Sequence, residues 1–297
     1  MEDIPMKTYR EFIDAFISTI DAARSLPQGN MSPAKTAPEV PEEATRILIF
    51  SPHPDDECII GTLPLRFLRE NAYRVVNVAV TQGSRKDRQQ ERFEELEEAC
   101  RFLGFDVYQT KPGGLEKIKP STRQKDPEYW ARCTEVVKNI LRQEQPQMIF
   151  LPHGNDFNGT HVGTHHLVMD ALPQLQSDFS CVLVETEYWH PMSAPNLMVE
   201  SPPEVLADLV AALSHHKGEV ERNPYHIALP AWMHDNVRRG SEVLTGQGSE
   251  APQIHFATLY RVALWQNGST AEPAPFTRIL TGDTSPASAL APVLHNP

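Results

Sequence analysis

The sequence lacks any grouping of cysteines that would indicate disulfides or a structural zinc site. Four cysteines stand far apart with no Cys-x-x-Cys pair among them: Cys58, Cys100, Cys133 and Cys181. Scattered cysteines are typical of reduced thiols in a cytosolic protein rather than of a disulfide framework. These spacings also argue against a zinc ion held by four thiolates. We therefore predict a cytoplasmic protein.

Long apolar runs and positive net charge are also missing. No window reaches the roughly 18 consecutive apolar residues that a membrane-spanning helix needs, and the N-terminus MEDIPMKTYREFIDAFISTIDAARSL is too charged for a signal peptide. The net charge is −12 at pH 7, whereas a non-specific nucleic-acid binder needs a basic face. We expect neither a membrane nor a nucleic acid as partner, but a small molecule.

What the 297 residues do contain is an alternation of strand and helix patterns. Apolar residues at helical spacing followed by a Pro-rich stretch predict a helical arm and linker at residues 1–44. Two placements of this arm stay open: on the main domain, or on another subunit of a homo-oligomer. Residues 45–267 alternate buried strands with helices, which predicts a Rossmann-like three-layer α/β sandwich with a mostly parallel central sheet. The Pro/Ser/Thr-rich residues 268–297 are predicted to form an irregular tail. The last elements predicted within the domain are helices at 203–216 and 230–243 and a strand at 256–264.

Three polar clusters follow predicted strands. They read SPHPDDE, TQGSRKDR and PHGNDFNGTHVGTHH, at residues 51–57, 81–88 and 152–166. Ligands of open α/β sheets bind outside the carboxyl ends of the strands, where clusters that are distant in sequence can converge. The pattern therefore predicts one site built from several loops.

The first and third clusters contain the residue types of a catalytic metal site. His53, Asp56 and His161 would give two imidazoles and one carboxylate, which leaves coordination positions open. An open site lets the metal bind water, lowers the pKa of that water to about 7 and polarises a carbonyl group. Asp55 would then be free to act as a general base. A simple helix cap is the alternative interpretation of the acidic run, because Asp and Glu favour helix N-termini.

These motifs resemble the PIG-L/LmbE-like family of zinc-dependent N-deacetylases. The likeness rests on SPHPDDE, on RFEELEEACRFLG at residues 92–104, on LPHGNDFNGTH at residues 151–161 and on ALSHHKGE at residues 212–219. The resemblance implies a Rossmann-like fold and hydrolysis of the acetamide of an N-acetyl amino sugar or sugar conjugate. It also implies zinc, or another divalent metal such as Fe²⁺ or Co²⁺, held by His53, Asp56 and His161, with Asp55 as general base.

The same resemblance implies roles for three further residues. Arg92 would help to hold the substrate, and His216 takes the place of the histidine in the last motif. Many family members carry a histidine where this chain has Asn158, which can donate a hydrogen bond to an oxyanion but cannot deliver a proton. We therefore predict catalytic roles for Asp55, Asn158 and His216, with the source of the leaving-group proton open between His216, His153 and protonated Asp55.

A segment rich in aromatic residues follows the predicted strand at residues 181–188. Tyr188 and Trp189 could stack on a sugar ring, and packing of this loop on the core is an equally good interpretation because both side chains bury large areas. Two other functions stay open for the whole protein. One is a metal hydrolase of esters or phosphates; the other is a non-catalytic Rossmann-like sugar-binding protein, which the absence of Gly-x-Gly-x-x-Gly after the first strand disfavours.

Overall fold

Nine strands of the described residues, 6–32 and 38–294, form one sheet in the computed structural model. Parts of the predicted arm, linker and tail, at residues 1–5, 33–37 and 295–297, lie outside the described residues. The strands are β1 Arg46–Ser51, β2 Arg74–Ala79, β3 Asp106–Gln109, β4 Met148–Pro152, β5 Cys181–Thr186, β6 Leu197–Glu200, β7 Ala257–Gln266, β8 Ser269–Ala271 and β9 Ile279–Leu280.

The strand order is β3-β2-β1-β4-β5-β7-β6-β9, with β8 paired to β7. The five strands from β3 to β5 are parallel, whereas β7 runs antiparallel to both β5 and β6. The chain reverses its direction of travel across the sheet between β1 and β4, which makes this pair of strands the switch point where doubly wound folds bind ligands. The predicted mostly parallel α/β sheet is confirmed.

Helices cover both faces of the sheet and make it the middle of three layers. They are α1 Met6–Ala23, α2 Asp56–Ile59, α3 Thr62–Asn71, α4 Gln89–Leu103, α5 Pro120–Lys125, α6 Pro127–Glu144, α7 Gly159–Ala171, α8 Pro203–Leu213, α9 Lys217–Val220, α10 Tyr225–Leu244, α11 Pro286–Ala289 and α12 Ala291–Leu294. Side chains of β1 alternate between two cores. Ile47 and Ile49 join the core beneath α3, α4, α8 and α10, while Leu48 and Phe50 join the core beneath α6 and α7.

Two helices contain a proline and begin before it. Pro64 is the third residue of α3. The N–H groups of the first turn have no acceptor within the helix, so a proline there costs no hydrogen bond. Pro230 lies inside α10, which begins at Tyr225 rather than at residue 230 as predicted. The helix therefore has more than one extra turn before its proline, and this turn contributes to the candidate site.

The two ends of the chain differ in how they pack. No residue of α1 is buried, and Phe12 and Phe16 are more than half exposed, so helix α1 is not packed into the core of the main domain. The linker after it does make contact, since the Gly29 N–H donates to Ser214 Oγ. None of the helices in the described residues has the length and apolar content needed to span a bilayer.

The prediction of an irregular tail needs correction. Residues 268–294 include β8, β9, α11 and α12, and Leu290 and Val293 are buried in the core beneath α3. These elements are too short for a periodic pattern to reveal them, and their packing against the domain stabilises them instead.

Candidate metal centre and active site

The candidate site lies at the switch point of the sheet. β1 and β4 pair in parallel through Ile47 with Met148 and Ile49 with Phe150, so both strands end at the same edge. The loop after β1 carries His53, Asp55 and Asp56, and the loop after β4 leads into α7 with His161. Two segments about a hundred residues apart in sequence thus meet as predicted from the polar strand ends.

Three potential ligand atoms from these loops face one another. His53 Nδ1 lies 3.2 Å from His161 Nε2, and Asp56 Oδ2 lies 3.4 Å from each of these two nitrogens. Ligands about 2.1 Å from a shared tetrahedral ion would lie about 3.4 Å apart. The spacing and the donor set of two imidazoles and a carboxylate therefore fit a divalent transition-metal ion such as zinc.

The surroundings of His161 support the same interpretation. Asp156 Oδ1 lies 3.7 Å from the second ring nitrogen of His161, Nδ1, which is buried and has no hydrogen-bond partner among the described residues. A carboxylate behind the far ring nitrogen is the usual companion of a metal-binding histidine because it fixes the ring orientation. Asp156 is itself held by the backbone N–H groups of Asn158 and Trp189. Sequence reasoning missed Asp156, although it lies within the third polar cluster.

Charge and burial shift the pKa values of the three potential ligands. Burial lowers the pKa of His53. Burial opposes the shifts of the other two, but the Asp56 and Asp156 charges raise the pKa of His161, and the two histidines lower the pKa of Asp56. Asp56 is therefore a carboxylate at neutral pH, the form that binds a metal.

Asp55 lies beside the three ligand atoms and is not one of them. Its φ of 118° is in the region that favours glycine, so the surrounding contacts must hold it there. The Tyr225 hydroxyl donates a 2.6 Å hydrogen bond to Asp55 Oδ2. Burial, and then the Asp56 charge, raises the pKa of Asp55 to about 7. A carboxyl group with such a pKa can both take and give a proton near neutrality.

Arg92 braces the loop that carries Asp55. Its Nη2 donates a 2.9 Å hydrogen bond to the Pro54 carbonyl and lies 3.6 Å from Asp55 Oδ2. Gly83 makes room for the guanidinium group, since a Cβ at that position would lie 2.2 Å from Arg92 Nη1. The structure thus brings the predicted substrate-binding arginine to the site, in contact with the loop.

Glu57 connects the same loop to His216. One oxygen of Glu57 accepts a hydrogen bond from the Asp55 backbone N–H at 3.0 Å, and the other lies 2.7 Å from His216 Nε2. Glu57 and His216 are both completely buried. Burial opposes protonation of His216, but the Glu57 charge raises its pKa. The pair is therefore placed to hold the Asp55 backbone, and His216 has no exposed atom with which to reach a substrate.

Asn158 and His153 both lie in the loop after β4. Asn158 is the N-cap of α7, where its Oδ1 accepts a hydrogen bond from the Thr160 N–H. His153 Nε2 lies 2.8 Å from the carbonyl oxygen of His190. Both side chains are thus engaged in local structure, while Asn158 also lines a cleft next to His53.

Two clefts adjoin the site. The aromatic cleft, about 350 Å³ in volume, is lined by Ile59, Tyr188, Trp189, Tyr225, Ala228, Leu229 and Trp232, with Pro191. The lysine cleft, about 540 Å³, includes His53, Lys86, Gln89, Lys117, Lys119 and Asn158 among its lining residues. Tyr188 is buried and packs edge-on against the His161 ring at 4.8 Å, whereas Trp189 is 48% exposed. The two predicted sugar-stacking residues therefore line one cleft together.

Comparison with known proteins finds a family with a similar sequence. The sequence matches the model of the family described as PIG-L, GlcNAc-PI de-N-acetylase, over residues 48–172. The matched stretch contains all three potential metal ligands and Asp55, and it bears out the predicted family resemblance. No curated protein matches the sequence.

Several solved structures share the fold. N,N'-diacetylchitobiose deacetylase from Pyrococcus horikoshii is 17% identical with a TM-score of 0.55, and the alignment covers 88% of this chain and 94% of that chain. A deacetylase of teicoplanin biosynthesis is 13% identical with a TM-score of 0.58, covering 77% and 100%. The 4-carboxy-2-hydroxymuconate hydratase from Pseudomonas putida is 17% identical with a TM-score of 0.55, covering 73% and 95%. At these identities the likeness shows the fold alone, and a hydratase shares it with deacetylases.

Proposed function

We propose that this chain, which matches the model of the PIG-L de-N-acetylase family over residues 48–172, removes the acyl group from an N-acylated amino sugar or sugar conjugate. The products are a free amine and a carboxylate. The observation that carries the proposal is the grouping of His53 Nδ1, His161 Nε2 and Asp56 Oδ2 within 3.4 Å of one another, with Asp55 next to them. The acetamide, which the family description names, is the first substrate to test.

His53, Asp56 and His161 would hold the metal, with zinc as our first choice and Fe²⁺ or Co²⁺ as alternatives. When bound, such an ion polarises the amide carbonyl and makes water more acidic. Asp55 takes the proton of the attacking water and then gives it to the leaving nitrogen, so that one carboxyl group serves as base and acid in turn. The Tyr225 hydrogen bond occupies Oδ2 of Asp55, which leaves Oδ1 for the proton.

The structure bears on the other predicted catalytic residues. His216 is buried against Glu57, so we propose that it positions Asp55 through Glu57 rather than transferring a proton to the substrate. The Asn158 side-chain amide lies on the cleft wall beside His53, where it can donate to an oxygen of the substrate. Free, buried thiols at all four cysteines support our proposal of a cytoplasmic location.

The decisive experiment combines metal analysis with an amine-release assay. Purified protein loaded with Zn²⁺ should release glucosamine from N-acetylglucosamine or one of its conjugates, and the Asp55→Asn variant should be slower by about two to four orders of magnitude at unchanged metal content. Loss of metal in Asp55→Asn would instead assign Asp55 to the ligand set. Release of p-nitrophenol from phosphate or acetate esters without amine release would favour a different hydrolase, and sugar binding that survives complete metal removal without any turnover would favour a binding protein.

A further inference from the structure

Two residues of the aromatic cleft contact the candidate site. Tyr225, which donates to Asp55, and Tyr188, which packs on the His161 ring, both belong to its wall. Ile59, Leu229 and Trp232 make the rest of the lining mainly apolar. A group that occupies this cleft therefore lies near the amide whose hydrolysis Asp55 would assist.

The lysine cleft adjoins the site through a different set of lining residues. His53 and Asn158 line it, and it has no lining residue in common with the aromatic cleft. Lysine, glutamine and threonine side chains there offer hydrogen bonds to a sugar. The aromatic cleft would leave sugar hydroxyls without partners, which costs free energy in a desolvated site.

The proposed substrate has an apolar acyl group on the carbonyl carbon of its amide and a polar sugar on the nitrogen. The two clefts differ in the same way, since one is mainly apolar and the other is polar. We propose that the lysine cleft holds the amino sugar and that the aromatic cleft holds the acyl chain, so that the preferred substrate carries an acyl chain longer than acetyl. This inference rests on the proposed function and narrows its substrate class. At about 350 Å³ the aromatic cleft has roughly ten times the volume of one water molecule in the liquid. An acetyl group would leave most of that space unfilled.

Helix α10 supplies a matched pair of test positions. Ala228 lies on the turn before Pro230, is exposed and lines the aromatic cleft, while Ala231 is exposed on the same helix and is not among its lining residues. Ala228→Asp places a carboxylate on the apolar wall without disturbing a buried residue. Ala231→Asp makes the same chemical change outside the cleft.

Activity is compared on three compounds: N-acetylglucosamine, N-hexanoylglucosamine and the hexyl glycoside of N-acetylglucosamine. We expect kcat/KM for the hexanoyl compound to exceed that for the acetyl compound at least tenfold, since each buried methylene strengthens binding about fourfold. Ala228→Asp should remove most of this preference, and Ala231→Asp should retain it. A preference for the hexyl glycoside would overturn the acyl assignment, and equal kcat/KM for all three compounds would overturn any role of the cleft in selectivity.

A binding measurement separates this inference from the proposed function. Titration calorimetry with the Asp55→Asn protein should show N-hexanoylglucosamine binding at least about tenfold more tightly than N-acetylglucosamine, and the difference should disappear in Asp55→Asn/Ala228→Asp. Equal affinities would overturn the acyl-chain assignment whatever the activity. Failure of the metal-loaded wild type to release amine from any of the compounds would overturn the proposed function, and the calorimetry would still decide what the cleft binds.

Discussion

Tyr225 and Asp55 are 170 residues apart in sequence, and the hydroxyl of one donates to Oδ2 of the other at 2.6 Å. The tyrosine is the first residue of α10, and the aspartate has a φ of 118° in the loop after β1. Under the proposed function, this bond sets which oxygen of Asp55 faces the substrate. Its removal should therefore affect turnover more than substrate binding.

Tyr225→Phe keeps the ring in the aromatic cleft and deletes the hydrogen bond. We expect kcat to fall about tenfold, in line with loss of a hydrogen bond to a charged group, while KM changes little. Steady-state kinetics on the best substrate measures both constants. Tyr108→Phe, on β3 and outside both clefts, is the matched control, and an increase in KM at unchanged kcat would show that Tyr225 binds substrate instead.

Asp55 should destabilise the metal-free protein at high pH. Its pKa is about 7 in the folded chain against an ordinary value of 3.8, so the folded state holds the proton more tightly than the unfolded state does. Stability is therefore lost as the pH rises from about 4 to 7, and the whole cost is present above pH 7. Asn is neutral at every pH and accepts a positive φ more readily than most residues.

Asp55→Asn should consequently melt at a higher temperature than the metal-free wild type at pH 8, with a difference that narrows towards pH 4. Calorimetric melting curves across this range give the comparison. Asp14→Asn, at an exposed position of α1, should show no such trend. A difference that stays constant from pH 4 to 8 would mean that burial does not oppose ionisation of Asp55.

His161→Ala should lose the metal. It removes one of only three ligand atoms from the group with Asp56 and His53, and two ligands from one loop hold a divalent ion weakly. Elemental analysis after dialysis measures the metal content. His166→Ala, a partly buried histidine on the same helix, should bind as much metal as the wild type, and full occupancy in His161→Ala would remove that residue from the ligand set.

Asp156→Asn should weaken metal binding without abolishing it. The carboxylate lies 3.7 Å from His161 Nδ1, and loss of such a partner typically costs about 10–100-fold in metal affinity. Competition with a chromophoric chelator gives the affinity. The N–H groups of Asn158 and Trp189 bind different oxygens of Asp156, so the amide keeps only one of these two hydrogen bonds. A variant that unfolds would therefore point to a structural role for the carboxylate instead.

The meeting of His53, Asp56 and His161 could be predicted from the sequence because it follows largely from periodicity. Buried strands that alternate with helices must be parallel, and polar residues after β1 and β4 then meet at one edge. Tyr225 could not be found this way. Proline is favoured at the first position of a helix, so Pro230 led to a predicted start at residue 230. The turn of α10 that carries Tyr225 and Ala228 was therefore not predicted. The contacts of Glu57 with His216 and of Asp156 with His161 depend on packing that no local pattern encodes.

The two-residue strand β9 limits how far this protein can be truncated at its C-terminal end. Its parallel pairing of Ile279 with Met198 and Leu280 with Val199 covers the outer side of β6. A version that stops at residue 267 would present an apolar edge strand with free N–H and C=O groups, which is a template for intermolecular β-pairing. Expression of the core alone should therefore yield aggregates, and shortened versions for crystallisation or tagging should keep the chain through Leu294.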